Sequence, residues 1–186
     1  MAQVAPTVTP CTHADLIAAV SLAYLTDLGH APSHATLAIL LAQIALETGH
    51  ASKLVAWNLG NYKRGPGPDW CRFETTEWLG TPPAPVQMEC DFSAWPDLAS
   101  AALFFIEGLY THWPEAWSGA VAGDADVFAT GLKMRGYYTA PESAYAAGVK
   151  RWQAYYLALL GGDDSPTLPE LPTDAEAAAL ARAGLA

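Results

Sequence analysis

The stretch Ala45-Leu46-Glu47-Thr48-Gly49-His50 sets one carboxylate at the end of an almost wholly apolar segment. Burial penalises the charged form of a carboxyl, so Glu47 is expected to keep its proton near neutral pH and to be able to donate it to a departing oxygen. If residues 34–50 are helical, Leu37, Leu40, Leu41 and Ile44 form a core face, and Ala38, Ile39, Ala42, Ala45 and Leu46 make the remaining surface mostly apolar. On such a helix Gln43, Glu47 and His50 fall within about 60° of one another, a polar stripe expected to face a wet cleft. The plain alternative is a solvated helix-end carboxylate, or one paired with a Lys or Arg. The motifs that flank Glu47 weigh against it.

The elements that must hold this carboxylate are mostly helices. A first helix begins at Thr12, with Asp15 placed for a capping box, and runs through Ile17, Val20, Tyr24 and Leu28 to Gly29. The helix of Glu47 starts after Pro32 with Ser33 as its cap. A third runs from Pro96 through Leu98, Ala102, Phe105 and Leu109 toward Trp113. A short helix and turn fill Pro114 to Gly123, and a further helix spans about 124–135 with Val127, Phe128 and Leu132. The last follows Pro141, carries Tyr145, Val149, Trp152 and Tyr156 as core residues at helical spacing, and ends at Gly161-Gly162.

Between the second and third helices the pattern changes to period two. Trp70 to Trp78 is rich in aromatic residues and Thr, Leu79 to Pro85 reads as a turn, and Val86, Met88, Cys90 and Phe92 alternate with Gln87, Glu89 and Asp91. This predicts one hairpin. A tip between Gly80 and Thr81 puts Cys71 directly opposite Cys90, either as two thiols or as a disulfide, and leaves Cys11 over. No further Cys or His stands at ligand spacing, so neither a metal nor another cofactor is expected.

The order Leu46-Glu47-Thr48-Gly49, Asn58-Leu59-Gly60-Asn61-Tyr62-Lys63, Thr75-Thr76-Glu77-Trp78, Phe92-Ser93-Ala94-Trp95 and Gly136-Tyr137-Tyr138-Thr139-Ala140-Pro141-Glu142-Ser143-Ala144-Tyr145 resembles the glucosaminidase family of peptidoglycan hydrolases, over about residues 30–160. The resemblance implies a mainly α (α+β) fold, a lysozyme-like helical domain over residues 1–162 with a small β-hairpin lobe, about 68–92, above the cleft. It implies cleavage of the β-1,4 bond of the glycan strand after N-acetylglucosamine, with Glu47 as general acid, Glu77 as second carboxylate on a mobile lobe and Tyr137 closing the site. Asn58, Asn61, Tyr62 and Lys63 then lie in the loop at the cleft floor, and Gln43, Trp78 and Tyr138 complete the candidate sugar contacts. Two departures stand out. The family's Tyr-Ala-Thr-Asp-Pro motif has Tyr138 for its Ala and Ala140 for its Asp, and the Phe before the Gly of the asparagine loop is Leu59; both bear on substrate fit more than on the acid. Other readings are a muramidase or lytic transglycosylase, which needs Glu47 alone, and a non-catalytic structural or wall-binding component of a phage or injection particle.

Composition bounds the rest. The 186 residues suit one domain with a substantial core. Mean hydropathy is +0.13, yet the longest mostly apolar run, Ala35 to Leu46, is interrupted by Thr36 and Gln43 and is shorter than the roughly 20 residues of a membrane span. A net charge of -10 with no basic stripe argues against nucleic acid as a partner. Lys53, Lys63, Arg64 and Arg72 flank the expected cleft, where they could meet stem-peptide carboxylates or simply form a solvated patch. Residues 1–12 show no signal-peptide pattern, so action on the wall is expected through a virion, an injection device, a lysis system or specialised secretion. Residues 163–172 read as an acidic Pro-rich linker, and Thr173-Asp174-Ala175-Glu176 as a capping box opening a short helix that docks on the domain or on a protein partner.

Overall fold

Thr12 and Asp15 close a reciprocal capping box: the Asp15 amide donates to Thr12 Oγ1 at 3.1 Å and the Thr12 amide to Asp15 Oδ2 at 3.0 Å. From it runs α1 (His13–Leu28), which buries Leu16, Val20, Ala23 and Tyr24 and ends on left-handed Gly29. Ser33 caps α2 (His34–Thr48) through the Thr36 amide. The computed structural model describes residues 1–52, 54–79, 84–138 and 141–162, with the side chains of all but 76–79, 84 and 85. Lys53 and the predicted linker and helix of 163–186 lie outside the described residues.

The remaining elements are the strands β1 (Asp69–Leu79) and β2 (Ala84–Ala94), then α3 (Leu98–His112), α4 (Pro114–Ala122), α5 (Ala125–Met134) and α6 (Glu142–Leu160). This is the expected mainly helical architecture with one antiparallel hairpin. α2 is its axis, since every residue from Thr36 to Ala45 is buried. Such all-round burial is what an apolar helix without a polar face requires. Truncating Leu40 or Ile44 to Ala is expected to cost about 2–5 kcal/mol. Gly148 allows α6 to lie close to α2, because a Cβ there would stand 3.0 Å from Leu46 Cδ1.

The hairpin exists but its register differs from expectation. Cys71 pairs with Phe92 and Cys90 with Phe73, so the two cysteines are diagonal rather than opposite, and Cys11, Cys71 and Cys90 are all outside disulfides. The pairing is offset by two positions from the expected one; the sequence between the strands, with prolines at 82, 83 and 85, carries no Asn-Gly or Asp-Gly signal from which to set it. Phe73 stacks on Phe92 at 4.4 Å, and Cys71, Phe92 and Ala94 close a small second core with Ala56. The extreme N-terminal segment adds an edge. The Val4 amide donates to the Trp70 carbonyl at 2.8 Å, the Trp70 amide to Ala2 O at 3.0 Å, and the Ala56 amide to Thr7 O at 2.9 Å. No helix among the described residues is long and apolar enough to cross a membrane.

Candidate active site

Glu47 occupies the last turn of α2, one residue before Thr48, whose hydroxyl donates back to the Ile44 carbonyl at 2.6 Å. Left-handed Gly49 then stops the helix. The chain beyond it is unusual. His50, Ala51, Ala56, Trp57 and Asn61 all have φ between 49° and 62°, a region that costs a non-glycine residue about 1–2 kcal/mol. Such conformations persist only where surroundings over-determine them. Here the Ala51 amide donates to Thr48 Oγ1 and the Trp57 amide to Thr9 Oγ1. Asn58 is the main tie: its Nδ2 donates to the carbonyls of Tyr62 (2.8 Å) and Ser93 (3.0 Å), and its Oδ1 accepts the Tyr62 amide (2.9 Å).

Glu47 as a residue is partly exposed, and its carboxyl, set in buried surroundings, accepts a hydrogen bond from the Tyr145 hydroxyl at 3.1 Å. Burial pushes it up to about 7, against the lowering effect of the Tyr145 bond, and no cation among the described residues contributes. The carboxyl therefore exists in both protonation states around neutrality. Around it stand phenols. The Tyr137 hydroxyl donates to the Gly60 carbonyl at 3.2 Å, and the rings of Tyr62 and Tyr137 meet edge-on at 6.4 Å. Burial, and then the charge of Glu47, raise the pKa of Tyr62, Tyr137 and Tyr145 far above the ordinary phenol value, so all three hydroxyls stay protonated. Gly60 is required where it stands, because a Cβ would fall 2.4 Å from the Tyr62 ring.

Several expected contacts take other roles. His50 is not part of a polar stripe with Glu47; the helix ends at Thr48, and His50 turns to stack on Trp152 at 4.7 Å and to meet His13 at a tilt, 4.0 Å away. Gln43 is wholly buried beneath the site, near Tyr137 but with neither amide atom in a well-formed hydrogen bond, so it faces no wet cleft. Asn58 and Tyr138 are buried too: Asn58 organises the loop, and Tyr138 stacks on Tyr145. They support the site rather than offer a surface to sugar. Asn61 and Lys63 are exposed on the loop, Lys63 with its Nζ 4.3 Å above the Phe92 ring. Glu77 and Trp78 lie on β1 opposite Val86 and Pro85; their side chains are outside the described residues.

Of the basic cluster, Arg72 and Arg64 both pair with Asp91, at 2.6 and 3.3 Å, and Arg64 lies 3.9 Å over the Trp70 ring. These contacts tie the two arginines to the root of the hairpin. Tyr145 is the residue that sequence reasoning assigned to the core; helical spacing gives no sign of a partner 98 positions away.

The chain matches solved structures over most of its length. With the glycoside hydrolase domain of Salmonella typhimurium FlgJ it shares 22% identity at a TM-score of 0.52, covering 83% of this chain and 94% of that one. A mutant peptidoglycan hydrolase from Sphingomonas sp. A1 matches at 22% identity and TM-score 0.54, over 74% of this chain and 90% of that one. The catalytic domain of the Listeria monocytogenes autolysin Auto matches at 18% and 0.55, over 82% and 89%. This chain has their fold. No protein-family model and no curated protein sequence matches it.

Proposed function

We propose that this protein is a peptidoglycan hydrolase that cleaves the β-1,4 glycosidic bond of the glycan strand, after N-acetylglucosamine, with Glu47 as general acid. The observation that carries the reading is the carboxyl itself: at a helix end, shifted to about 7 by burial and touched by a phenol instead of a cation. Glycoside hydrolysis needs such a group to protonate the leaving oxygen while positive charge develops at the sugar carbon. Glu77, on the hairpin, is the proposed second carboxylate; Tyr137 closes the site from the α5–α6 connection, and Asn61, Tyr62, Lys63 and Trp78 are the proposed sugar contacts. The shared fold with domains described as glycoside hydrolases and peptidoglycan hydrolases supports the same reading.

The domain comprises residues 1–162 in this reading, and 163–186 form a tail that meets the domain or a protein partner. The substrate lies in the bacterial wall, reached from a virion, an injection device, a lysis system or a secretion machine. Zymography and turbidity clearing of bacterial walls test the assignment. The parent is expected to clear them and Glu47→Gln to lose at least about a hundredfold in rate. Mass spectrometry of the products is expected to find N-acetylglucosamine reducing ends. Muramic-acid or anhydro-sugar ends would move the reading to a muramidase or lytic transglycosylase, and clearing by Glu47→Gln at the parent rate would remove Glu47 as the acid.

A further inference from the structure

Tyr138 is buried and lies flat on Tyr145, ring centroids 3.8 Å apart and planes 5° from parallel. Aromatic pairs left to themselves choose offset or edge-on arrangements with wider spacing, because face-on quadrupoles repel. Something must therefore hold these two rings together. The anchors are visible on both. The Tyr138 hydroxyl donates to the Ala129 carbonyl of α5 at 3.0 Å, and Lys133 of the same helix has its Nζ 3.5 Å from the Tyr138 carbonyl and 5.1 Å from its ring centroid. Tyr145, on the first turns of α6, gives its hydroxyl to Glu47.

We propose that Tyr138 is a positioning residue for the proton donor: pinned to α5, it fixes the plane of the Tyr145 ring and, through the Tyr145 hydroxyl, the placement of the Glu47 carboxyl. The chain of contact runs from the Ala129 carbonyl to Tyr138, to Tyr145, to Glu47, and joins α5, α6 and α2 at the acid. A bond of 3.1 Å at the end of a long ring weakens steeply when that ring tilts, so the stack is what keeps the hydroxyl aimed. Tyr138 itself touches no substrate. Its effect on rate rests on the reading of Glu47 as the acid; its coupling to the Glu47 carboxyl does not.

The test reads both. In the full chain, carbon-13 NMR follows the titration of the Glu47 carboxyl, assigned by the signal that Glu47→Gln removes, and wall clearing is measured as a function of pH. Tyr145→Phe deletes a bond that favours the carboxylate, so the midpoint is expected to rise by about half a unit. Tyr138→Leu and Tyr138→Met, which keep bulk without a planar ring, are expected to raise it by at least half as much. They should lower kcat about tenfold with KM within about twofold. Two such variants keep the test intact should one fail to fold, as melting curves will reveal. Tyr138→Phe keeps a planar ring but loses the bond to the Ala129 carbonyl, so it is expected to fall between the parent and Tyr138→Leu in both midpoint and rate. In the double variant Tyr138→Leu/Tyr145→Phe the midpoint should equal that of Tyr145→Phe alone, because Tyr138 acts through that hydroxyl. A parent-like titration in the Leu and Met variants, full additivity in the double variant, or a Phe variant as impaired as Leu would each overturn the proposal. Should Glu47→Gln clear walls at the parent rate, the acid assignment fails on its own while the NMR midpoints still decide the coupling.

Discussion

Glu47 and His50 stand three residues apart at one end of α2, and burial keeps both uncharged near pH 6 by opposite shifts. The carboxyl rises to about 7, and the imidazole falls to about 4 through burial and then the neighbouring His13. Their surroundings differ in kind. Glu47 has a phenol that donates a hydrogen bond to its carboxyl. His50 is packed between rings, with its Nε2 buried and unpartnered, in a cluster with His13, Trp152 and Tyr155. Burial alone makes a neutral group. Burial with a directed hydrogen-bond partner makes a usable proton donor.

Four outcomes sharpen that contrast. The largest is in rate: Glu47→Gln loses at least about a hundredfold in wall clearing, whereas His50→Asn, which suits the left-handed backbone there, clears walls at a rate close to the parent. The second is in stability. A carboxyl whose folded value is raised binds a proton in the folded state that the unfolded chain has released, so it withdraws stability as pH rises from about 4.5 to about 7. Glu47→Gln is therefore expected to melt above the parent at pH 8, by an amount on the order of 3 kcal/mol at most, and with it at pH 4. Denaturant unfolding at the two pH values measures this. Third, Asn58→Ala strands the buried amide and carbonyls it now ties and should cost about 2 kcal/mol, read in the same assay.

The smallest concerns His50. Its folded value lies below the unfolded one, so the unfolded state binds the extra proton and stability falls as pH drops from about 6.5 to about 4. His50→Asn should flatten that acid limb by about 1 kcal/mol, a figure reduced for the partial exposure of the ring. An unchanged acid limb would show that His50 is solvated in the folded protein and would erase the contrast.

Helix limits were legible in the sequence wherever a cap spelled them out. Thr12 with Asp15, Ser33 and Gly161 each mark an end that the fold keeps. Gly49 did so too, and extending the helical period past it is what misplaced His50 on a polar stripe. The hairpin followed from period-two alternation, but its register did not, since alternation survives a shift of two pairing positions while only the tip fixes the count. Tyr145 was sorted to the core by helical spacing and Tyr138 to the sugar by the family resemblance. Their stack and the bond to Glu47 are long-range facts that no local period contains. The N-terminal edge on Trp70 and Ala56 was missed for the same reason: isolated bridges leave no alternation to read.

The central claim is that Glu47 holds a proton near neutrality in a site open to sugar. A carbon-13 NMR titration of the Glu47 carboxyl, with and without a soluble peptidoglycan fragment, addresses it directly. A midpoint near 7 that moves when the fragment binds is expected. A midpoint near the ordinary glutamate value of 4.5, unmoved by the fragment, would contradict it.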